Sequence, residues 1–259
     1  MTLTVAVLGL GEAGGAIARD LLDAGAVVRA YDPAVPAPAG MFPARDEADA
    51  ASGADLVLSV NSGKAATDAL RAGVSAVGDG VWADLNTASP GLKRHLAEIA
   101  GGVAFADVAI MAPVPGRGLR TPMLASGPAA RRVAALLGSL GASVRPLDGP
   151  AGLAAERKLL RSVFFKGLAA AVVEALAAGR AAGCEEWLRD NITEELTRAD
   201  TSTVERLVAG THQHAVRRAD EMAAATDMLT ELGIEPTITA ATRDVLVRLA
   251  TGRSPRQPG

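Results

Sequence analysis

The chain has 259 residues, with 26 Lys and Arg against 29 Asp and Glu, a formal charge of -3, and one cysteine, Cys184. That length is enough for one large domain or two modest ones, each able to bury a core, and two are expected. The near-neutral balance, without a basic tract, argues against a nucleic-acid partner, while a single cysteine excludes an internal disulfide or thiolate metal cage and suits a reducing cytoplasm.

The N-terminus lacks the basic start and cleavage site of a signal peptide and runs straight into the first apolar segment, so the fold is expected to begin there. Apolar runs at 4–8, 27–31, 55–60, 81–85 and 103–108 alternate with helical or turn-rich segments. Near-continuous apolarity suits strands buried on both faces, and the alternation predicts right-handed βαβ units around a mainly parallel sheet. Residues 123–126 and 143–147 are weaker strand candidates. After Gly149-Pro150, residues 151–182 carry apolar positions at three- and four-residue spacings without proline and read as one long helix. Its most apolar stretch, 167–182, is interrupted by Glu174 and Arg180 and reads as a buried helix of a soluble protein, not a membrane span. Helical pattern continues to about residue 250, with breaks expected near Gly210 and Gly233–Pro236 and a frayed tail over 252–259. The expected fold is α/β: a Rossmann-type domain over 1–150, then an all-α domain over 151–259.

The segment Gly9-Leu10-Gly11-Glu12-Ala13-Gly14 lies between the first predicted strand and a predicted helix, as a dinucleotide-binding loop requires. Gly9 permits a tight turn, Gly11 lets a pyrophosphate approach the backbone, and Gly14 lets the helix lie close to the sheet. The helix N-terminus supplies N–H donors. Asp32 ends the second strand, where a carboxylate accepts from a ribose 2′-hydroxyl. This favours NAD over NADP, although Arg29 or Arg45 could accommodate a 2′-phosphate. Asn61 and Ser62 follow the third strand and read equally as a plain polar turn or as neighbours of the nicotinamide. Ser89-Pro90 makes a good N-cap and N1 pair.

These features, with Asp84-Leu-Asn-Thr-Ala-Ser-Pro90, Asp107-Val-Ala-Ile-Met-Ala-Pro113 and Gly152-Leu-Ala-Ala-Glu-Arg-Lys158, resemble the β-hydroxyacid dehydrogenase or 6-phosphogluconate dehydrogenase-like superfamily. More narrowly, Lys158–Lys166 and His214–Met222 resemble a poorly characterised branch with its own C-terminal helical domain. The resemblance implies an NAD(P)-dependent dehydrogenase or reductase acting on a small hydroxyacid or carbonyl compound, with Lys158 as general acid/base and Asn86 near the cofactor. It also implies a homodimer built by the helical domain. An imine reductase on the same architecture and a non-catalytic dinucleotide sensor are the alternatives. Ser162 stands where the superfamily has Asn, and the substrate-gripping Ser-Gly-Gly turn is missing near Met111-Ala112.

On a helix, Lys158, Arg161, Ser162 and Lys166 share a stripe. By itself it reads as a solvated basic face; with the resemblance it reads as facing an anionic substrate. Arg161 would then temper the basicity of Lys158 or pair with a carboxylate, and Ser162 would donate to the same oxygen. His214, Arg217, Arg218 and Glu221 form a second stripe, read either as a surface face or, for His214 and Arg218, as substrate contacts. His212 and His214 diverge on a helix and lack further ligands, so no metal site is expected.

Overall fold

The computed structural model describes residues 2–252. The chain divides into two compact units, 1–161 and 162–259. In the first, an eight-stranded sheet has the order β3-β2-β1-β4-β5-β6-β7-β8, formed by β1 (Thr4–Leu8), β2 (Val27–Tyr31), β3 (Phe42–Pro43), β4 (Leu56–Ser59), β5 (Val81–Asp84), β6 (Ala104–Ile110), β7 (Met123–Ser126) and β8 (Val144–Pro146). Neighbours are parallel except β6 and β7, which run antiparallel. The chain order reverses direction between β1 and β4, which opens a crevice at their carboxyl ends.

Alternation along β1 separates two buried layers. Val5 and Val7 join a core with Ile17 and Leu21 of α1 (Glu12–Asp23), while Ala6 and Leu8 join one with Val57, Trp82 and Leu96. The opposite face is covered by α2 (Glu47–Ala51), α3 (Ala66–Gly73) and α4 (Pro90–Ala100), and α5 (Ala130–Ser139) packs on the first layer. As expected, Ser89 caps α4 by accepting from Leu92 N, with Pro90 at the first helical position.

The long helix expected over 151–182 is α6 (Leu153–Ala181), which begins in the first unit and ends in the second. The second unit continues with α7 (Glu185–Thr197), α8 (Thr203–Gln213), α9 (Ala215–Glu231) and α10 (Thr237–Ala250). Glu174 of α6 ties down α10 by accepting from Ile238 N (2.7 Å), Thr239 N (2.8 Å) and Thr239 Oγ1 (2.6 Å). Burial opposes ionisation of Glu174, but these donors prevail and hold its carboxyl below the usual range.

Two expectations for this unit need correction. The break foreseen at Gly210 does not occur there. α8 runs through Gly210 to Gln213, and the interruptions fall at His214 and at Asp200–Ser202, where Asp200 Oδ1 accepts from Ser202 N and Oγ. Gly210 instead leaves room for Arg218, whose Nη2 lies 3.5 Å from where its β-carbon would be. The stretch 167–182, expected to be buried, is largely half-buried, with Ala178 buried and Val173 exposed, and just before it Val163, Phe164 and Phe165 are exposed. α6 is long and apolar enough, by length and composition only, to cross a membrane. Beyond Gly252, the tail foreseen over 252–259 lies outside the described residues.

Candidate functional site

The glycine loop closes the carboxyl end of β1. Gly9 has φ +99°, and a β-carbon on it would lie 2.6 Å from both Asn61 Oδ1 and Val60 O. One on Gly14 would run into Gly9 O, so the start of α1 lies against the turn itself. Over Gly11 nothing lies within 4 Å, and no side chain caps α1 there. Backbone donors at a helix start, with open space in front, form a cradle of the kind a pyrophosphate takes. The exposed Glu12 and half-buried Ala13 begin that helix.

Asp32 is more than a ribose partner in waiting. Its Oδ2 accepts from Leu10 N (2.7 Å), fixing the loop, and its Oδ1 accepts from Ala34 N (2.8 Å) and Val35 N (3.0 Å). Partial burial works against the charge, but the three backbone donors outweigh it and lower the carboxyl's pKa. Arg29 and Arg45, the cations that could receive a 2′-phosphate, both turn to α2. Arg29 donates to Asp49 O (2.5 Å) and Ala50 O (3.1 Å) and pairs with Asp49 Oδ1, and Arg45 Nε donates to Asp49 Oδ2 (3.2 Å).

The edge continues through β4 and β5. Asn61 Nδ2 reaches Ser59 Oγ (3.3 Å), while Ser62 starts the turn into α3 by accepting from Ala65 N. Asn86, foreseen at the cofactor, is buried, and its Nδ2 is given to Ser59 Oγ (2.9 Å) and Asp84 Oδ2 (2.8 Å). The next residue takes the exposed position. Thr87 Oγ1 accepts a 2.9 Å hydrogen bond from Lys158 Nζ, and a β-carbon on Gly63 would lie 2.6 Å from Thr87 O. Lys158 therefore stands at the same sheet edge as the glycine loop, and both it and Thr87 belong to the first unit. Half-buried Met111 follows β6, its N donating to Pro122 O.

Beneath Thr87 and Lys158 lies a cluster that the sequence reading missed. Lys93, 1% exposed, points from α4 between the ends of β5 and β6. Its Nζ lies 2.5 Å from Asp84 Oδ1, 2.9 Å from Asp84 O and 3.1 Å from Asp107 Oδ1. The contact with Asp107 is a counter-charge without hydrogen-bond alignment. Asp107 Oδ2 accepts from Gly152 N (3.1 Å) and Ala155 N (2.9 Å), and Ser126 Oγ accepts from Ala154 N (2.9 Å), so the start of α6 is capped from the sheet. Two buried carboxylates are thus met by one ammonium and the donors of a helix N-terminus. A signal was present: Lys93 shares one face of α4 with Leu96 and Ala100 and so interrupts an apolar stripe.

Arg161 is the last residue of the first unit, and half-buried Ser162 and exposed Lys166 follow on α6 at the spacing that the stripe requires. His214 ends α8 and opens α9, and Arg218 Nη1 donates to Thr211 Oγ1 (2.7 Å) within the helical unit. Among the described residues no group of three or more His, Cys, Asp or Glu could hold a metal.

Residues 180–249 match a family described as a domain of unknown function, DUF1932. Among solved structures, the chain is 26% identical to MTH1747, a conserved protein of unknown function with structural similarity to 3-hydroxyacid dehydrogenases. That match covers 97% of this chain and 98% of the other, with a TM-score of 0.63. A reductive aminase from Aspergillus terreus in complex with NADPH and ethyl levulinate is 18% identical, covering 97% and 95% with a TM-score of 0.80. An imine reductase variant from Myxococcus stipitatus in complex with NAD+ is 21% identical over the same shares, with a TM-score of 0.79. The resemblance read from the sequence is borne out at the level of fold: helices whose residues 180–249 match DUF1932 follow a Rossmann-like sheet, in a fold shared with 3-hydroxyacid dehydrogenase-like proteins and imine reductases.

Proposed function

We propose that this protein is a nicotinamide-dependent oxidoreductase in which Lys158 moves the proton. The observation that carries this reading is the Lys158–Thr87 hydrogen bond at the sheet edge that also holds the Gly9–Gly14 cradle. Gly9, Leu10, Gly11, Glu12, Ala13 and Gly14 would hold the pyrophosphate, and Asn61 and Ser62 would border the nicotinamide end. Bound there, a nicotinamide supplies or accepts the hydride. Lys158 Nζ takes the proton of a substrate hydroxyl on oxidation, or returns it to a carbonyl oxygen on reduction. Thr87 Oγ1 fixes the direction of the ammonium, and Arg161 and Ser162, one turn further along α6, face the anionic part of a small hydroxyacid or carbonyl substrate. Met111 lines that side of the edge, and Lys166, His214 and Arg218 of the helical unit contribute to substrate choice.

NAD is the favoured cofactor: the carboxylate of Asp32, just after β2, would accept from a ribose hydroxyl, while Arg29 and Arg45 are committed to α2. A second copy of the chain covers the exposed apolar side of α6, giving a cytoplasmic homodimer. Imine reduction is the second reading, favoured by the higher TM-scores of the reductive aminase and imine reductase. In that case Lys158 would protonate the nitrogen.

The test uses Lys158→Met with both cofactors, following cofactor binding by calorimetry and turnover with hydroxyacid, ketone and cyclic imine panels. Binding should be retained while turnover falls by about two to four orders of magnitude. Near-normal turnover in the variant removes Lys158 from the mechanism.

A further inference from the structure

We infer that Lys93 is a positioning residue for Lys158: the buried ammonium joins the carboxylates of Asp84, at the end of β5, and Asp107, opposite it in β6, so that Thr87 and Lys158 meet. Two branches of contacts run from the Lys93 Nζ. On the first, Lys93 binds both the main-chain and side-chain oxygens of Asp84, and Asp84 Oδ2 in turn receives Asn86 Nδ2. Asn86 also reaches Ser59, so the turn that presents Thr87 is fixed on both sides immediately before it. On the second branch, Lys93 faces Asp107 Oδ1, and Asp107 Oδ2 holds Gly152 N and Ala155 N, one turn before Lys158 on α6. Gly152 lies so close to α4 that a β-carbon would sit 2.7 Å from Pro90 O, which leaves the two helix starts little freedom to slide.

An apolar residue at 93 would fill the volume but leave Asp84 and Asp107, neighbours in the β5–β6 ladder, without a cation between their carboxylates. They would carry two buried negative charges pushing β5 and β6 apart. Every residue in the network belongs to the first unit, so the device sets the acid/base group against the sheet. Its functional meaning rests on the catalytic reading of Lys158, but its geometry does not.

The chain has four lysines, Lys64, Lys93, Lys158 and Lys166. Competitive acetylation with trace acetic anhydride across the alkaline range, resolved by mass spectrometry, therefore reports each one separately. Thr87→Val gives the reference for a Lys158 that has lost its hydrogen bond to Thr87, a change in labelling rate of about two- to tenfold relative to Lys64. The charge-balanced double variant Lys93→Met with Asp84→Asn should unfold cooperatively. It should change Lys158 labelling in the same direction and to a similar degree as Thr87→Val, with Lys166 unaffected. A folded double variant with wild-type labelling of Lys158 overturns the inference. Should that variant not fold, Asp107→Asn gives the same reading, because its amide oxygen can still accept from α6 while the carboxylate facing Lys93 is lost. A shifted labelling profile combined with normal turnover of Lys158→Met supports the positioning role and sinks the catalytic reading, so the two fail separately.

Discussion

Gly152→Ala tests the closeness of α4 and α6 most directly. At this position φ is +99°, and the new β-carbon would lie 2.7 Å from Pro90 O and 3.3 Å from Pro90 C and Cα, all backbone atoms of a capped helix start. Backbone strain in this region costs about 1–3 kcal/mol for a residue other than glycine. Forcing a methyl against atoms that cannot rotate away adds about 1–3 kcal/mol. Gly78 supplies the control: its φ is +58° and nothing lies within 4 Å of its would-be β-carbon, so Gly78→Ala should cost only the conformational part, about 1–2 kcal/mol. Urea unfolding of both variants isolates the contact as their difference. Because Gly152 N is also held by Asp107, relief by outward movement of α6 should carry Lys158 away from Thr87 and lower turnover in the same variant. Equal losses at positions 78 and 152, within about 0.5 kcal/mol, would refute the close approach.

Lys93→Met removes one partner of a buried charge group and should cost about 3–5 kcal/mol in urea unfolding, with the charge-balanced partner change at Asp84 recovering part of it. Asp32 has a lowered folded-state pKa, so its contribution to stability is complete above the unfolded value near 3.8 and disappears as pH falls through the lower folded value. Acid unfolding of Asp32→Asn should accordingly show a shallower loss below about pH 5 than wild type, and its affinity for NAD should fall at neutral pH. Phe164→Glu, at a position 58% exposed in the single chain, should leave the fold intact and shift sedimentation from dimer to monomer. A monomeric wild type would remove the proposed partner from α6.

The legible parts of the molecule were those whose rules are local. The loop Gly9–Gly14 could be placed because strand, turn and helix follow one another within a few residues, and Ser89-Pro90 announced its own cap. Lys158 was singled out by resemblance, since a cation on a helix stripe says nothing by itself about what it faces. Asn86 was preferred to Thr87 by resemblance. Only the pairing of β4 with β5 reveals that the Asn86 Nδ2 is taken up by Ser59 and Asp84. The Lys93 cluster needed three segments distant in sequence, 84, 93 and 107, to converge, and lysine is ordinarily solvated. Burial of α6 was misjudged for a different reason: apolar length shows that a surface must be covered, but not that the same chain covers it.

If Lys158 moves the proton as proposed, its placement separates chemistry from selectivity. A proton-transfer group must keep its distance to the hydride donor constant, whatever the substrate. Here the lysine lies in the second turn of α6, whose start is capped by Asp107 and countered through Lys93, all on the frame that carries the glycine loop. The helical unit, tied internally by Glu174 to α10, can then vary in its side chains without disturbing that distance. Exchanging residues such as Lys166 or Arg218 should therefore change KM for different substrates more than it changes the cofactor affinity. Exchanging Lys93 or Gly152 should lower kcat for all substrates alike.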